Sequence, residues 1–221
     1  EIYLASHKDV QINVQGGGSA VGIQAALSGS AEIGMADLLK LPAEASALTS
    51  TVVARDGIAI IVHPKNPASA FTATMARAVF TGKIAGWKDA GGGDGAIRVI
   101  SREEGSGTRR SFQKLVLGDD KLAASALFQN SNGTIREAVA SDQNAVGYLS
   151  IGLVDKRVKA LSYDGVAPMN EHVKDGTYPL SRPIFFLTKG PQSPAVKAFI
   201  DFVLSDEAQK LLEKEGLIAA K

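Results

Sequence analysis

The 221-residue chain has no cysteine. That excludes disulfides, thiolate catalysis and cysteine-ligated zinc. Histidine is almost as scarce. His7, His63 and His172 are the 3 present, and they show no metal-ligand spacing. Charge of one sign is not in excess either. With 24 Lys+Arg against 23 Asp+Glu, the formal net charge is +1. No general attraction to nucleic acid or an anionic membrane follows, so any anion seat must be local. No apolar run approaches the length that spans a bilayer. The start, Glu1-Ile2-Tyr3-Leu4-Ala5-Ser6, lacks the basic region and apolar stretch of a signal peptide. Internal repeats and low-complexity tracts are also missing. What is present is an ordinary globular balance, 45% hydrophobic and 21% charged, sufficient for a real core.

Apolar periodicity supplies the elements. Val10, Ile12 and Val14 alternate with polar residues, which predicts a strand over 10–14. Gly16-Gly17-Gly18-Ser19 predicts a turn, Val21 to Leu27 a short helix ending near Gly29, and Ile33 to Ala36 a strand with Asp37 at its carboxyl end. Gly57-Ile58-Ala59-Ile60-Ile61-Val62-His63 suits a strand buried on both faces, or one crossing between domains. Thr74 to Phe80 reads as a helix, Ile97 to Ile100 as a strand, and Arg109 to Leu117 and Thr134 to Ala140 as helices. Ala145 to Leu149 reads as a strand, Val166 to Tyr178 as an exposed connector, and Ile184 to Leu187 as a buried strand. Ser193-Pro194 and Ser205 cap two last helices, and Gly216 stops the second. Strands alternating with helices predict an α/β class with mainly parallel strands, whose ligands bind beyond the strands' carboxyl ends.

Arg102-Glu103-Glu104-Gly105-Ser106-Gly107-Thr108 sits where a predicted strand feeds a helix. The first amides of a helix lack partners within it, and its dipole is positive there. Gly105 and Gly107 allow close backbone approach. Ser106 and Thr108 add hydroxyls, and Arg102 adds a planar, permanently charged fork. Such a set describes a seat for a tetrahedral oxyanion. Gly18 and Ser19 open a second helix in the same way, and Asp37 marks a third loop. A carboxylate beside an oxyanion repels it unless one of them carries a proton. Monohydrogen phosphate does so near neutral pH and sulfate does not. Asp37 would therefore accept from the first and reject the second.

Gly-Gly-Gly-Ser-Ala-Val-Gly-Ile, Ala-Glu-Ile-Gly-Met-Ala-Asp and Arg-Glu-Glu-Gly-Ser-Gly-Thr-Arg, in that order, resemble the periplasmic phosphate-binding proteins of bacterial ABC phosphate importers. Phe80-Thr81-Gly82-Lys83-Ile84 with Trp87, Ala145-Val146-Gly147-Tyr148, and Tyr178-Pro179-Leu180-Ser181-Arg182-Pro183 resemble further segments of that family. The resemblance implies an α/β, two-lobed clamshell of the type II periplasmic-binding class. Each lobe would be a mainly parallel sheet flanked by helices. Residues 1–57 plus 182–221 would form one lobe and 58–181 the other, with two strands crossing near Gly57 to His63 and Arg182 to Leu187. It further implies phosphate ligands at Ser19, Asp37, Arg102, Ser106, Gly107 and Thr108, supported by Gly18, Glu104 and Gly105, with Glu104 holding the Arg102 guanidinium. No cofactor, metal, catalytic residue or nucleic acid is implied. The implied partners are inorganic phosphate and an importer's permease, and the implied protein is an exported, periplasmic or extracytoplasmic monomer without a membrane span. The family's usual first strand and Gly-Ser-Thr-Thr-like loop have no counterpart here; Glu1 to Ser6 resembles the end of the helix that follows them.

Three rivals compete with this reading. A hydrolase would need a histidine brought to Ser106 from afar. A receptor for sulfate, molybdate or tungstate would meet Asp37. A sensor or adhesion relative would keep the fold and lose tight binding. Trp87 and Tyr148 are expected in the core or at a hinge, and Arg109-Arg110 in solvent.

Overall fold

Local chemistry fixes where most helices start. The hydroxyls of Thr72, Ser106, Ser131, Ser193 and Ser205 each accept a backbone N–H three residues on, at the start of a helix. The structure, a computed structural model, describes residues 1–220. Helices α1 (Ile2–Ser6) and α2 (Ser19–Ser28) lead to strand β1 (Gly34–Ala36) and the long β2 (Leu48–Val62). Then come β3 (Ala70–Phe71), α3 (Ala73–Phe80), β4 (Arg98–Arg102), α4 (Gly107–Phe112), β5 (Leu127–Gln129), α5 (Asn132–Ala140) and β6 (Ala145–Ser150). Short strands β7 (Lys159–Ala160) and β8 (Ser162–Tyr163) and helix α6 (Asn170–Lys174) precede β9 (Ser181–Lys189). Helices α7 (Pro194–Val203) and α8 (Asp206–Lys214) and strand β10 (Ile218–Ala219) end the described chain.

One sheet runs in the order β1-β9-β2-β6-β4-β5. Strand β2 pairs with β9 from Leu48 to Gly57, then with β6 from Ile58 to Val62. It thus passes from one half of the molecule into the other without a break. The α/β, two-lobed clamshell is the expected class, but strand direction is mixed rather than mainly parallel. β4 pairs in parallel with β5 and β6, and β3 with β8, while every pair made by β2 or β9 is antiparallel. The cause is the central pair β2 and β9, which lie side by side and run in opposite directions through the middle of the sheet. Gly57 marks the handover. A side chain there would collide with Ile151 and Val173.

The apolar run after Gly57 is buried on both faces because two cores need it. Ile58, Ile60 and Val62 pack with Phe80, Trp87, Phe112 and Tyr148, while Ala59 and Ile61 pack with Ile100, Ile135, Val139 and Leu149. That is period-two alternation with both faces apolar. Each fully buried isoleucine contributes about 1.5–3 kcal/mol. A third cluster, with Ile23, Ala26, Leu38, Leu48 and Leu187, supports α2 and β1.

Three local expectations are corrected. Residues 10–14 form no strand; alternation makes a segment extended, but a strand needs a hydrogen-bonded partner, and among the described residues none pairs with them. The helix predicted over Arg109 to Leu117 is α-helical only to Phe112 and continues as a π-helical turn, Gln113–Leu117, closed at Gly118 with φ 63°. The connector predicted over Val166 to Tyr178 contains α6 and buries Val173 and Tyr178, whose hydroxyl donates to Ile58 O at 2.8 Å.

Candidate functional site

Three chain turns converge on one cavity of about 250 Å³. Gly18 and Ser19 reach it from the start of α2, and Asp37 from the residue after β1. Arg102 reaches it from the end of β4, and Ser106, Gly107 and Thr108 from the start of α4. Gly105 is brought alongside instead: its carbonyl accepts from Ala20 N at 3.3 Å and lies against Gly18. The two helix starts therefore meet across a narrow gap. A side chain at Gly107 would strike Asp37 Oδ1 and Ser19 Oγ, so only glycine permits this closeness. Asn132, at the start of α5, and Ile184, on β9, also line the cavity and were not predicted.

Asp37 is held by partners from both helix starts and from β9. Ser19 Oγ donates to its Oδ1 at 2.5 Å and Thr108 Oγ1 to its Oδ2 at 3.2 Å. Arg182 Nη2 lies 2.8 Å from Oδ2. The Asp37 backbone is pinned as well: its N–H donates to Ser19 Oγ at 3.0 Å, and Ser111 Oγ donates to its carbonyl at 3.2 Å. The carboxylate is thus aimed from both sides of the gap, with 29% of its side chain still exposed.

Arg102 is held differently. Its Nε and Nη2 donate to the two oxygens of Glu103, both at 2.9 Å. Nη1 donates to Asn132 Oδ1 at 3.2 Å. The supporting acid is therefore Glu103 and not Glu104. Glu103 N is tied to Gln129 O at 3.2 Å, which keeps this residue beside the strand end, whereas Glu104 begins the turn and is exposed. Burial pushes the Glu103 carboxyl up, but the hydrogen bonds and charge of Arg102 outweigh it, and the net direction is downward. Arg109 is not left to solvent: Nη1 donates to Arg102 O at 3.0 Å, and the guanidinium sits 4.9 Å above the Phe128 ring.

Behind the cavity lies a pair the sequence reading missed. Asp56 on β2 and Arg182 on β9 are direct cross-strand partners, and Arg182 Nη2 donates to Asp56 Oδ2 at 2.9 Å. Ser150 Oγ completes Asp56 at 2.7 Å. Burial pushes the Asp56 carboxyl up, Arg182 and Ser150 pull it partway back, and the Asp37 charge adds to the rise. A signal was available: Arg55-Asp56 and Ser181-Arg182 each place a charge directly before a long apolar strand, where it must find a partner. Arg102, Arg109 and Arg182 are balanced by Glu103, Asp37 and Asp56. The charges around the cavity therefore offset one another, and it carries no net positive field.

Residues 1–207 match the PBP superfamily domain. Over 223 aligned residues the chain is 35% identical to the phosphate-binding protein PstS of Bacillus subtilis strain 168, covering 99% of this chain and 74% of that protein. The chain belongs to the PstS phosphate-binding proteins of the PBP superfamily. Its structure is similar to a phosphate ABC transporter substrate-binding protein from Clostridium perfringens, solved with bound phosphate. The TM-score is 0.95 and the identity 38%, over 100% of this chain and 92% of that one. It is also similar to an ABC-type phosphate transport receptor from Vibrio cholerae, with TM-score 0.84 and 36% identity over 98% and 91% of the two chains. In this PstS relative no helix among the described residues is long and apolar enough to cross a membrane. No cluster of His, Asp or Glu among them could hold a metal ion.

Proposed function

We propose that this chain binds inorganic phosphate, in its monohydrogen form, between its two lobes and presents it to the permease of an ABC phosphate importer. The observation that carries this reading is Asp37: a carboxylate that lines the same cavity as Arg102, Ser106 and the starts of two helices and is held there by Ser19 and Thr108. An acceptor in that place fits an oxyanion that brings its own proton and disfavours sulfate. The ligand set is Ser19, Asp37, Arg102, Ser106, Gly107 and Thr108, with Asn132 as an added neighbour. The lobes are residues 1–57 plus 182–221 and residues 58–181. Phosphate favours closure because it touches both.

The chain acts as a receptor and not as an enzyme. Ser106 Oγ accepts the N–H of Arg109 at 3.2 Å as a helix cap. Each histidine is engaged elsewhere: His7 with Tyr3, His63 with Lys65 N and His172 with Ala167 O. A receptor of this kind works on the outer face of the cytoplasmic membrane, as a monomer. Calorimetric titration of the anion-stripped protein tests the reading. Tight phosphate binding with sulfate silent supports it, and equal affinities for both anions overturn it.

A further inference from the structure

Arg182 is the group in which the anion cavity and the crossing strands meet. Its side chain is only 1% exposed, and it does not itself line the cavity. One nitrogen, Nη2, makes every contact: 2.8 Å to Asp37 Oδ2, 2.9 Å to Asp56 Oδ2 and 3.0 Å to Thr108 Oγ1. Nε and Nη1 have no hydrogen-bond partner among the described residues. The guanidinium is therefore not spent on a forked pair with one acid, as at Arg102. It stands end-on between two carboxylates that face different tasks.

We infer that Arg182 is a positioning and specificity-determining residue of the anion site, which supplies the positive charge that lets the Asp37 carboxylate stand beside an anion as an acceptor. The inference rests on the phosphate reading above. Its physics follows from the distances. A carboxylate 29% exposed at the edge of a closed gap has lost much of its water. With a polyanion arriving in front of it, a cation on its far side offsets the repulsion. Arg182 occupies that far side and touches the oxygen, Oδ2, that Thr108 also holds. Through Thr108 the same nitrogen orders the α4 start, so one cation sets the acceptor and one donor together. Asp56 is its second partner and competes for the same charge. It accepts from Ser150 on β6, outside the cavity.

The competition gives an experiment that separates site from scaffold. The ratio of phosphate to sulfate affinity is measured by calorimetry at neutral pH on the full, anion-stripped chain. Arg182→Met strands the buried Asp56 and the part-buried Asp37 at once, so the decisive variant is Arg182→Met combined with Asp56→Asn, which leaves only Asp37 without its cation. That double variant is expected to lose about tenfold or more of the phosphate-over-sulfate ratio, the scale on which an unmatched polar group discriminates. Asp56→Asn alone keeps the ratio, because Arg182 then serves Asp37 undivided. Arg182→Lys restores part of it. In an Asp37→Asn background, removing Arg182 changes the ratio no further, since the effect runs through Asp37. A double variant with the wild-type ratio overturns the inference, as does an equal loss in the Asp37→Asn background. A wild-type chain that shows no preference for phosphate overturns the receptor reading itself, which the variants alone do not.

Discussion

Arg102, which lines the cavity, and Arg182, which lies behind it, are both buried arginines, and they are wired in opposite ways. Arg102 grips a single acid, Glu103, through a two-pronged fork, and that acid is 38% exposed. Arg182 touches two acids through one nitrogen, and its strand partner Asp56 is 4% exposed. A forked partner fixes the plane of the Arg102 guanidinium at the cavity wall, and Asn132 Oδ1 and Asn130 O hold further N–H groups of it at 3.2 and 3.3 Å. A shared end-on contact fixes charge in a place that water does not reach. The first arrangement suits recognition. The second suits holding the lobes and the acceptor in register.

The two arginines therefore separate affinity from stability. Arg182→Met removes the cation from a buried pair and should cost about 3–5 kcal/mol of folding stability, the range for breaking such a pair. Arg102→Ala leaves behind an acid that water already reaches, so its stability cost should be about 1 kcal/mol. Urea unfolding of both variants checks the order. Reversed costs would show that Arg102 carries the scaffold.

Affinity should rank the other way. Arg102→Ala removes a charged donor that lines the cavity and should weaken phosphate binding roughly 100-fold, within the 2–5 kcal/mol expected for truncating a buried charged partner. Calorimetry reads it directly, and unchanged affinity would remove Arg102 from the ligand set. Asp37→Asn is a smaller change. It keeps the shape and gives the site an amide that donates, so the phosphate-over-sulfate ratio should fall about tenfold while phosphate affinity falls less. An unaltered ratio would end the role of Asp37 as proton acceptor.

What the sequence made legible, and what it did not, follows the reach of each interaction. Ser131, Ser193 and Ser205 cap helices through bonds three residues long, so the helix starts can be read off the chain. The Arg102 to Thr108 turn is equally local, so Arg102, Ser106, Gly107 and Thr108 are legible as cavity residues, whereas Asn132 and Ile184 come from a distant helix and strand and are not. The choice between Glu103 and Glu104 was not legible. It depends on a backbone bond to Gln129, on a neighbouring strand. Residues 10–14 show the limit of periodicity, since alternation carries no information about a partner strand. Asp56 and Arg182 are 126 positions apart, and only the register of two long strands brings them together. Their charges before apolar runs said that each needed a partner, but not that the partners were each other or that Asp37 would share one.

The smallest effect expected is a difference in sign with pH, and it sharpens the comparison most cleanly. The Glu103 carboxyl lies below its ordinary 4.5 in the folded chain, because Arg102 outweighs its burial. The unfolded chain then binds more protons in that range. The contribution of Glu103 is present above pH 4.5 and is lost as pH falls through the lowered value. Asp56 lies above its ordinary 3.8, because burial outweighs Arg182 and Ser150. Here the folded chain binds more protons. The contribution of Asp56 is full below pH 3.8 and is lost as pH rises through the raised value. Two acids, each beside an arginine, therefore push stability in opposite directions along the pH axis. Glu103→Gln should narrow its deficit against wild type on acidification below pH 4.5, and Asp56→Asn should improve against wild type as pH rises from 3.8. Thermal unfolding of both variants across that range tests the pair. Slopes of the same sign would mean that the two acids are buried alike, and that the distinction between a recognising and a compensating arginine does not hold.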